Sequence, residues 1–199
     1  MKKLFSLLLV LMLVFSSLPV VAEVVEEVEG VEEAEAGTKF EKVLLKKGGL
    51  IIKEFVDCCF FEKDDYFGDK DLGGFSDTLQ FQSASLTDVE TGTKVYALRI
   101  TCGYYNSQYD NGETVGVMDA DEIDGAISTL EYIKSHINET VDYTEIIYTT
   151  NGGIQIGAYK SDTGTQLFVK VSSKATKFYG IDTIDSLIDA LNQVKATFG

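Results

Sequence analysis

The chain has 199 residues and a formal charge of −15, with 17 Lys and Arg against 32 Asp and Glu. Arg99 is its only arginine and the lysines are scattered, so the clustered cationic surface that holds nucleic-acid phosphates or anionic headgroups is missing. An apolar share of 45% supports a packed core and excludes disorder for the body of the chain.

At the start, Lys2 and Lys3 precede the apolar run Leu4–Phe15, which ends at Ser16, Ser17 and Pro19. Val20-Val21-Ala22 then fits a small-residue cleavage site, so residues 1–22 read as a signal peptide cleaved near Ala22. The expectation is a secreted or extracytoplasmic protein with no stable membrane insertion after cleavage. Loss of residues 1–22 removes two lysines and no acids, taking the charge from −15 to −17. Residues 23–37 carry seven glutamates among valines and alanines, a density of like charge that predicts an acidic disordered leader.

Residues 38–199 read as one α+β domain. Thr38 and Glu41 have the spacing of a helix capping box, and Gly48-Gly49 ends that short helix. Leu50–Phe61 is rich in β-branched and aromatic residues and predicts a strand, followed by an acidic, glycine-containing loop over Glu62–Phe75. Alternation from Leu79 to Thr87 predicts a second strand, and Thr93–Gly103 a third. Tyr104–Gly112 reads as a loop with a hairpin-type Asn111-Gly112, and Glu113–Met118 as a short fourth strand. A helix over Asp121–Ile137 follows, with Asp121 as expected N-cap and Ile123, Ala126, Ile127, Leu130, Ile133 and Ile137 as its apolar stripe.

The same plan then recurs with shorter connections. Strands are expected at Tyr143–Thr149, Ile154–Lys160, Thr165–Val171 and Lys177–Ile181, with a helix over Asp182–Phe198. Asp121, Ile123, Asp124, Ile127, Leu130 and Lys134 recur as Asp182, Ile184, Asp185, Ile188, Leu191 and Lys195, an offset of 61 (121 to 182). In the third strand of each half, letter matching suggests an offset of 72. An offset of 71 instead pairs Tyr96, Leu98 and Ile100 with Leu167, Val169 and Val171, and facing decides because a slip of one turns every side chain over. The fold class is therefore a tandem β4α repeat. Two antiparallel four-stranded meanders, in half-repeats of about 48–138 and 142–199, are each followed by a helix whose stripe covers a sheet face. Over residues 50–198 this element order resembles the Whirly family. The resemblance implies two such units in one body with helices at one end, in a family that binds single-stranded DNA, and it rests on element order alone.

Candidate chemistry is sparse. His136 is the only histidine and sits near a helix end, so Ser-His or Cys-His catalysis has no evident base, and no C-x-x-C, G-x-S-x-G or H-E-x-x-H motif occurs. The acids from Asp119 to Asp124 fail the spacing of a calcium loop and read as helix caps. No metal or cofactor is expected. Oxidising export allows one disulfide from Cys102 to either Cys58 or Cys59, leaving a third thiol.

Tyr104, Tyr105, Asn106, Gln108 and Tyr109 combine flat rings with amide donors and acceptors, which suits a sugar or peptide ligand. The expectation is an exported, non-enzymatic binding or structural module, its partner a protein, a peptide or a glycan. The alternative is a small extracellular carboxylate-dependent hydrolase acting on glycans, since paired acids need no local motif. Asn138-Glu-Thr140 is a glycosylation sequon.

Overall fold

The computed structural model describes residues 37–61, 78–139, 141 and 143–199. The signal peptide, the acidic leader up to residue 36 and the loop expected over Glu62–Phe75 lie outside these described residues, as does Thr140 of the sequon.

In chain order the elements are α1 (Lys39–Leu44), β1 (Ile51–Phe61), β2 (Leu79–Asp88), β3 (Lys94–Ser107) and β4 (Asp110–Asp119). A 3-10 turn, Ala120–Glu122, leads into α2 (Ile123–His136). The second half runs β5 (Thr144–Thr149), β6 (Gln155–Ser161), β7 (Gly164–Ser172) and β8 (Ala175–Gly180). A 3-10 turn at Ile181–Thr183 then enters α3 (Ile184–Lys195). Each half is a four-stranded antiparallel sheet in sequence order, β1-β2-β3-β4 and β5-β6-β7-β8. The tandem β4α repeat is thus the architecture of this chain.

The two halves agree in backbone detail. Asp119 (φ −62°, ψ 148°) and Gly180 (φ −63°, ψ 146°), 61 positions apart, open the same 3-10 turn into the same helix. Leu98 and Ile100 on β3 are fully buried, as is Val169 on β7, with Val171 nearly so. Inward facing therefore follows the offset of 71. One core joins Leu79, Phe81, Leu98 and Ile100 of the first sheet with Ile156, Val169 and both helix stripes.

The helices change sides. α2 leaves the first sheet and packs on β5 and β6, whereas α3 leaves the second sheet and packs on β1 and β2, with α2 and α3 in mutual contact. Each stripe covers the sheet of the opposite half. Between the helices, Lys134 pairs with Asp185 and Lys195 pairs with Asp124, both at 2.5 Å. Because residue i meets j′ while j meets i′, the contact has the form of an isologous interface and places a local two-fold between the halves.

Where the sheets meet directly, β4 approaches β7. A Cβ on Gly116 would stand 2.7 Å from the carbonyl oxygen of Val171 and 2.8 Å from Cγ1 of Ile154, so only glycine fits. Beside it the Thr114 hydroxyl donates to Ser172 Oγ at 2.9 Å.

Among the described residues, one element has no counterpart in the second half. The capping box of α1 is formed: Glu41 N donates to Thr38 Oγ1 at 2.9 Å and Thr38 N to Glu41 Oε2 at 3.1 Å. Phe40 then seals Ala84, Leu86 and Ala97 on the outer face of the first sheet. The α1 N-terminus is also capped from a distance, because Asp119, almost fully buried, accepts from Lys39 N at 2.7 Å and Phe40 N at 3.1 Å.

Two local expectations are corrected. Asp121 is not the N-cap of α2. It lies inside the 3-10 turn and pairs with Lys39 Nζ at 2.5 Å, while Asp124 serves the ion pair with Lys195. The span Tyr104–Gly112 is not a loop. β3 continues to Ser107 and β4 begins at Asp110, leaving Gln108-Tyr109 as a two-residue connection with a bulge between Tyr105 and Ser107. Side chains close this turn: Asn111 Nδ2 donates to the carbonyls of Ser107 (3.1 Å) and Gln108 (2.9 Å), and Ser107 Oγ accepts from Asp110 N at 3.1 Å.

Candidate functional site

The extended β3–β4 hairpin separates the five residues singled out by sequence. Successive strand residues face opposite ways, so Tyr104 lies on the core side and Tyr105 on the outer side. Gln108 and Tyr109 form the tip, where Tyr109 is 92% exposed. Tyr104 and Asn106 are engaged within the molecule. Lys174 Nζ lies 5.0 Å from the Tyr104 ring centroid and donates to its hydroxyl at 3.3 Å and to Asp110 at 2.8 Å. Asn106 Nδ2 donates to the other oxygen of Asp110 at 3.1 Å. The Lys174 and Asn106 hydrogen bonds hold the Asp110 carboxyl below its usual value. This cluster pins the hairpin to the β7–β8 turn.

The three cysteines are free thiols. Cys59 on β1 pairs with Phe81 across β2, and Cys102 on β3 pairs with Leu79. They share the inner face, but β2 runs between them, and two strand spacings (about 9–10 Å) exceed disulfide reach. The bridge that export would allow is not formed in this structure. Burial raises both the Cys59 and Cys102 thiols. Cys59 borders a depression of about 400 Å³ between β1 and α3, whose described lining includes Asp189 and Ser186 but no histidine. His136 stacks on Tyr132 with centroids 4.2 Å apart, and its Nδ1 lies 3.0 Å from the Tyr132 carbonyl oxygen. Nothing in this arrangement activates a thiol nucleophile.

The outer face of the second sheet carries the strongest site geometry. In the register of β5–β8, one row across the sheet reads Ile147, Gly157, Phe168, Phe178. The next rows read Glu145, Tyr159, Gln166 and Thr149, Gln155, Lys170, Thr176. Gly157 leaves the centre without a side chain, and a Cβ there would stand 2.3 Å from the Ile146 carbonyl oxygen. Around this floor rises a depression of about 370 Å³ lined by Tyr143, Tyr159, Ile147, Phe168 and Phe178, with Glu145, Gln155 and Thr176 as its polar members.

The aromatics are preorganised. Phe178 meets Tyr159 edge-on at 6.1 Å and Phe168 tilted at 6.4 Å. Phe168 is only 8% exposed and forms the base, while Phe178 at 45% and Tyr143 at 67% stand in water as walls. The Tyr143 hydroxyl donates to Glu145 Oε1 at 2.6 Å, a bond that raises the Tyr143 phenol above its usual value. The Tyr159 hydroxyl donates to Gln166 Oε1. The result is a flat apolar floor with a carboxylate and amides at its rim, the composition of a small-ligand site.

The halves differ at this face. At the offset of 71, Ala97 corresponds to Phe168. Ala97 is small and lies beneath Phe40 of α1, whereas Phe168 is an aromatic base with no helix above it among the described residues. Among the described residues no group of three or more His, Cys, Asp or Glu side chains is placed to hold a metal ion, and no helix is long and apolar enough to cross a membrane. Comparison with protein-family models, curated proteins and solved structures finds no match to this chain.

Proposed function

We propose that this protein is an exported, non-enzymatic binding module whose ligand is a glycan seated on the outer face of the second sheet. The observation that carries this reading is the aromatic depression over Gly157, uncovered among the described residues, on a face that its counterpart in the first half keeps sealed with α1. A sugar ring presents apolar C–H groups on one side and hydroxyls around its edge. Phe178, Tyr159 and Tyr143 supply surfaces for the former, and Glu145, Gln155 and Thr176 supply acceptors and donors for the latter. The signal-type sequence Lys2–Ala22 supports an extracytoplasmic setting in which glycans are available.

The hydrolase alternative needs two carboxylates across the bound bond, about 5–10 Å apart. The described lining carries one, Glu145, already accepting from Tyr143, and this favours binding.

The test is titration of oligosaccharides, chosen from a glycan array, followed by tyrosine fluorescence and calorimetry. The chain has no tryptophan, so tyrosine emission is not masked. Phe178→Ala is expected to weaken binding about five- to thirtyfold, an aromatic contact of about 1–2 kcal/mol. Tyr109→Ala at the hairpin tip, which does not line the depression, is expected to leave it unchanged. Binding lost with Tyr109 and kept with Phe178 removed, or no glycan bound at all, refutes the assignment.

A further inference from the structure

β1 is an edge strand of 11 residues, and from Ile52 to Asp57 it is exposed on both faces. Among the described residues, α3 covers only its far end. An open edge offers a row of unpaired N–H and C=O groups, and Phe55 (49% exposed) and Val56 (55%) add apolar surface to it.

The charges along this edge are symmetric about Phe55. Lys53 and Asp57 lie two residues to either side of it, on the same outer face as Phe55, since the register pairs all three with the outward residues Leu86, Ala84 and Gln82. Lys53 has no ion-pair partner within the described chain. Among the described residues Asp57 has no cation partner, but its Oδ1 accepts from Gln80 Nε2 at 3.0 Å and Gln82 Nε2 at 2.6 Å, so its carboxylate is held in place. Arg99 donates to Gln82 and lies 5.7 Å from the Phe55 ring, which orders the same patch.

We infer that β1 pairs antiparallel with β1 of a second copy of this chain, about a two-fold axis through Phe55. In that register Phe55 meets Phe55, Lys53 meets Asp57 of the second copy, and Asp57 meets its Lys53. All six side chains fall on one face of a continuous eight-stranded sheet, because residues equidistant from the axis share parity. The unpaired cation and the preset carboxylate of each copy thus find partners in the other. The register shift between Asp57 and Cys59 ends regular pairing at the bulge and limits the ladder to the exposed segment.

The test is charge reversal read by sedimentation velocity and light scattering across a concentration series, with thermal melting to confirm that each variant is folded. The wild-type chain is expected to dimerise. Lys53→Asp sets like charges opposite each other twice, and it is expected to raise the dimer Kd at least tenfold. The double reversal Lys53→Asp, Asp57→Lys puts opposite charges back in register and is expected to restore the dimer. A wild-type chain that stays monomeric into the millimolar range overturns the inference. So does a dimer indifferent to Lys53→Asp, or a folded double variant that fails to recover. The readout does not involve the Gly157 face, so its outcome is independent of glycan binding.

Discussion

Asp119 is the side chain on which most local order converges. Its carboxylate accepts two N–H groups from the start of α1, and its own N–H donates to Glu122 Oε2 at 3.2 Å. Glu122 Oε1 in turn accepts from Asn151 N at 2.8 Å, tying the corner to the second half. Asp119→Ala strands two donors at a helix start and is expected to cost about 1–2 kcal/mol in denaturant unfolding. Its mark is loss of hydrogen-exchange protection confined to α1 and the face it seals. Other acids govern acid stability. The Lys46 hydrogen bond holds the Asp88 carboxyl below the ordinary 3.8, and the Lys174 hydrogen bond does the same for Asp110. A group with a depressed folded pKa stabilises fully above its unfolded value, and that contribution is lost as pH falls through the lower folded value. Unfolding free energy is therefore expected to stay level down to about pH 5 and to drop below about pH 4. In Asp88→Asn and Asp110→Asn that drop should be shallower, measured by urea unfolding at a series of pH values.

At the scale of elements, the sheet junction depends on Gly116. Its would-be Cβ meets backbone, the Val171 carbonyl, which cannot rotate away. Gly116→Ala is expected to cost about 1–3 kcal/mol, the range of overpacking strain, whereas Lys134→Ala removes one exposed ion pair and should change stability by less than about 1 kcal/mol. Alternation along Leu79–Phe81 and Leu167–Val171 states which side chains face the core, and the helix stripes repeat, so the tandem fold is legible from letters alone. Long-range pairing is not. Nothing local says that Asp119 also caps α1, or that a hairpin closes at Gln108-Tyr109 through Asn111 and Ser107 when Asn111-Gly112 has the commoner turn signature. The candidate site on the second sheet is missed for a related reason. Alternation directs attention to the buried set Ile154, Ile156 and Ala158, while Gln155, Gly157 and Tyr159 read as mere solvent-side residues. The signal available is the pairing of Ala97 with Phe168 at the offset of 71, an aromatic replacing a small residue on a face that should match.

At the scale of the whole molecule, the exchanged helices make the repeats interdependent. α3 brings fully buried Leu187, Leu191 and Val194 to a core shared with β1 and β2, and α2 brings Leu130 and Ile133 to β5 and β6. A buried Leu, Ile or Val side chain is worth about 1.5–3 kcal/mol, so removing either helix forfeits an amount comparable to a domain's net stability. A half-repeat in isolation therefore faces water with the sheet face that its counterpart's helix should cover. Unfolding is expected to be one cooperative transition, with far-ultraviolet and near-ultraviolet circular dichroism changing together at the same midpoint. Residues 38–139 and 143–199 produced separately are expected to lack near-ultraviolet signal and to regain it when mixed in equal amounts. Each fragment brings the helix that the other's sheet requires. Two separate transitions in the intact chain, or a fully packed first fragment without α3, would show that each sheet is sustained by contacts within its own half.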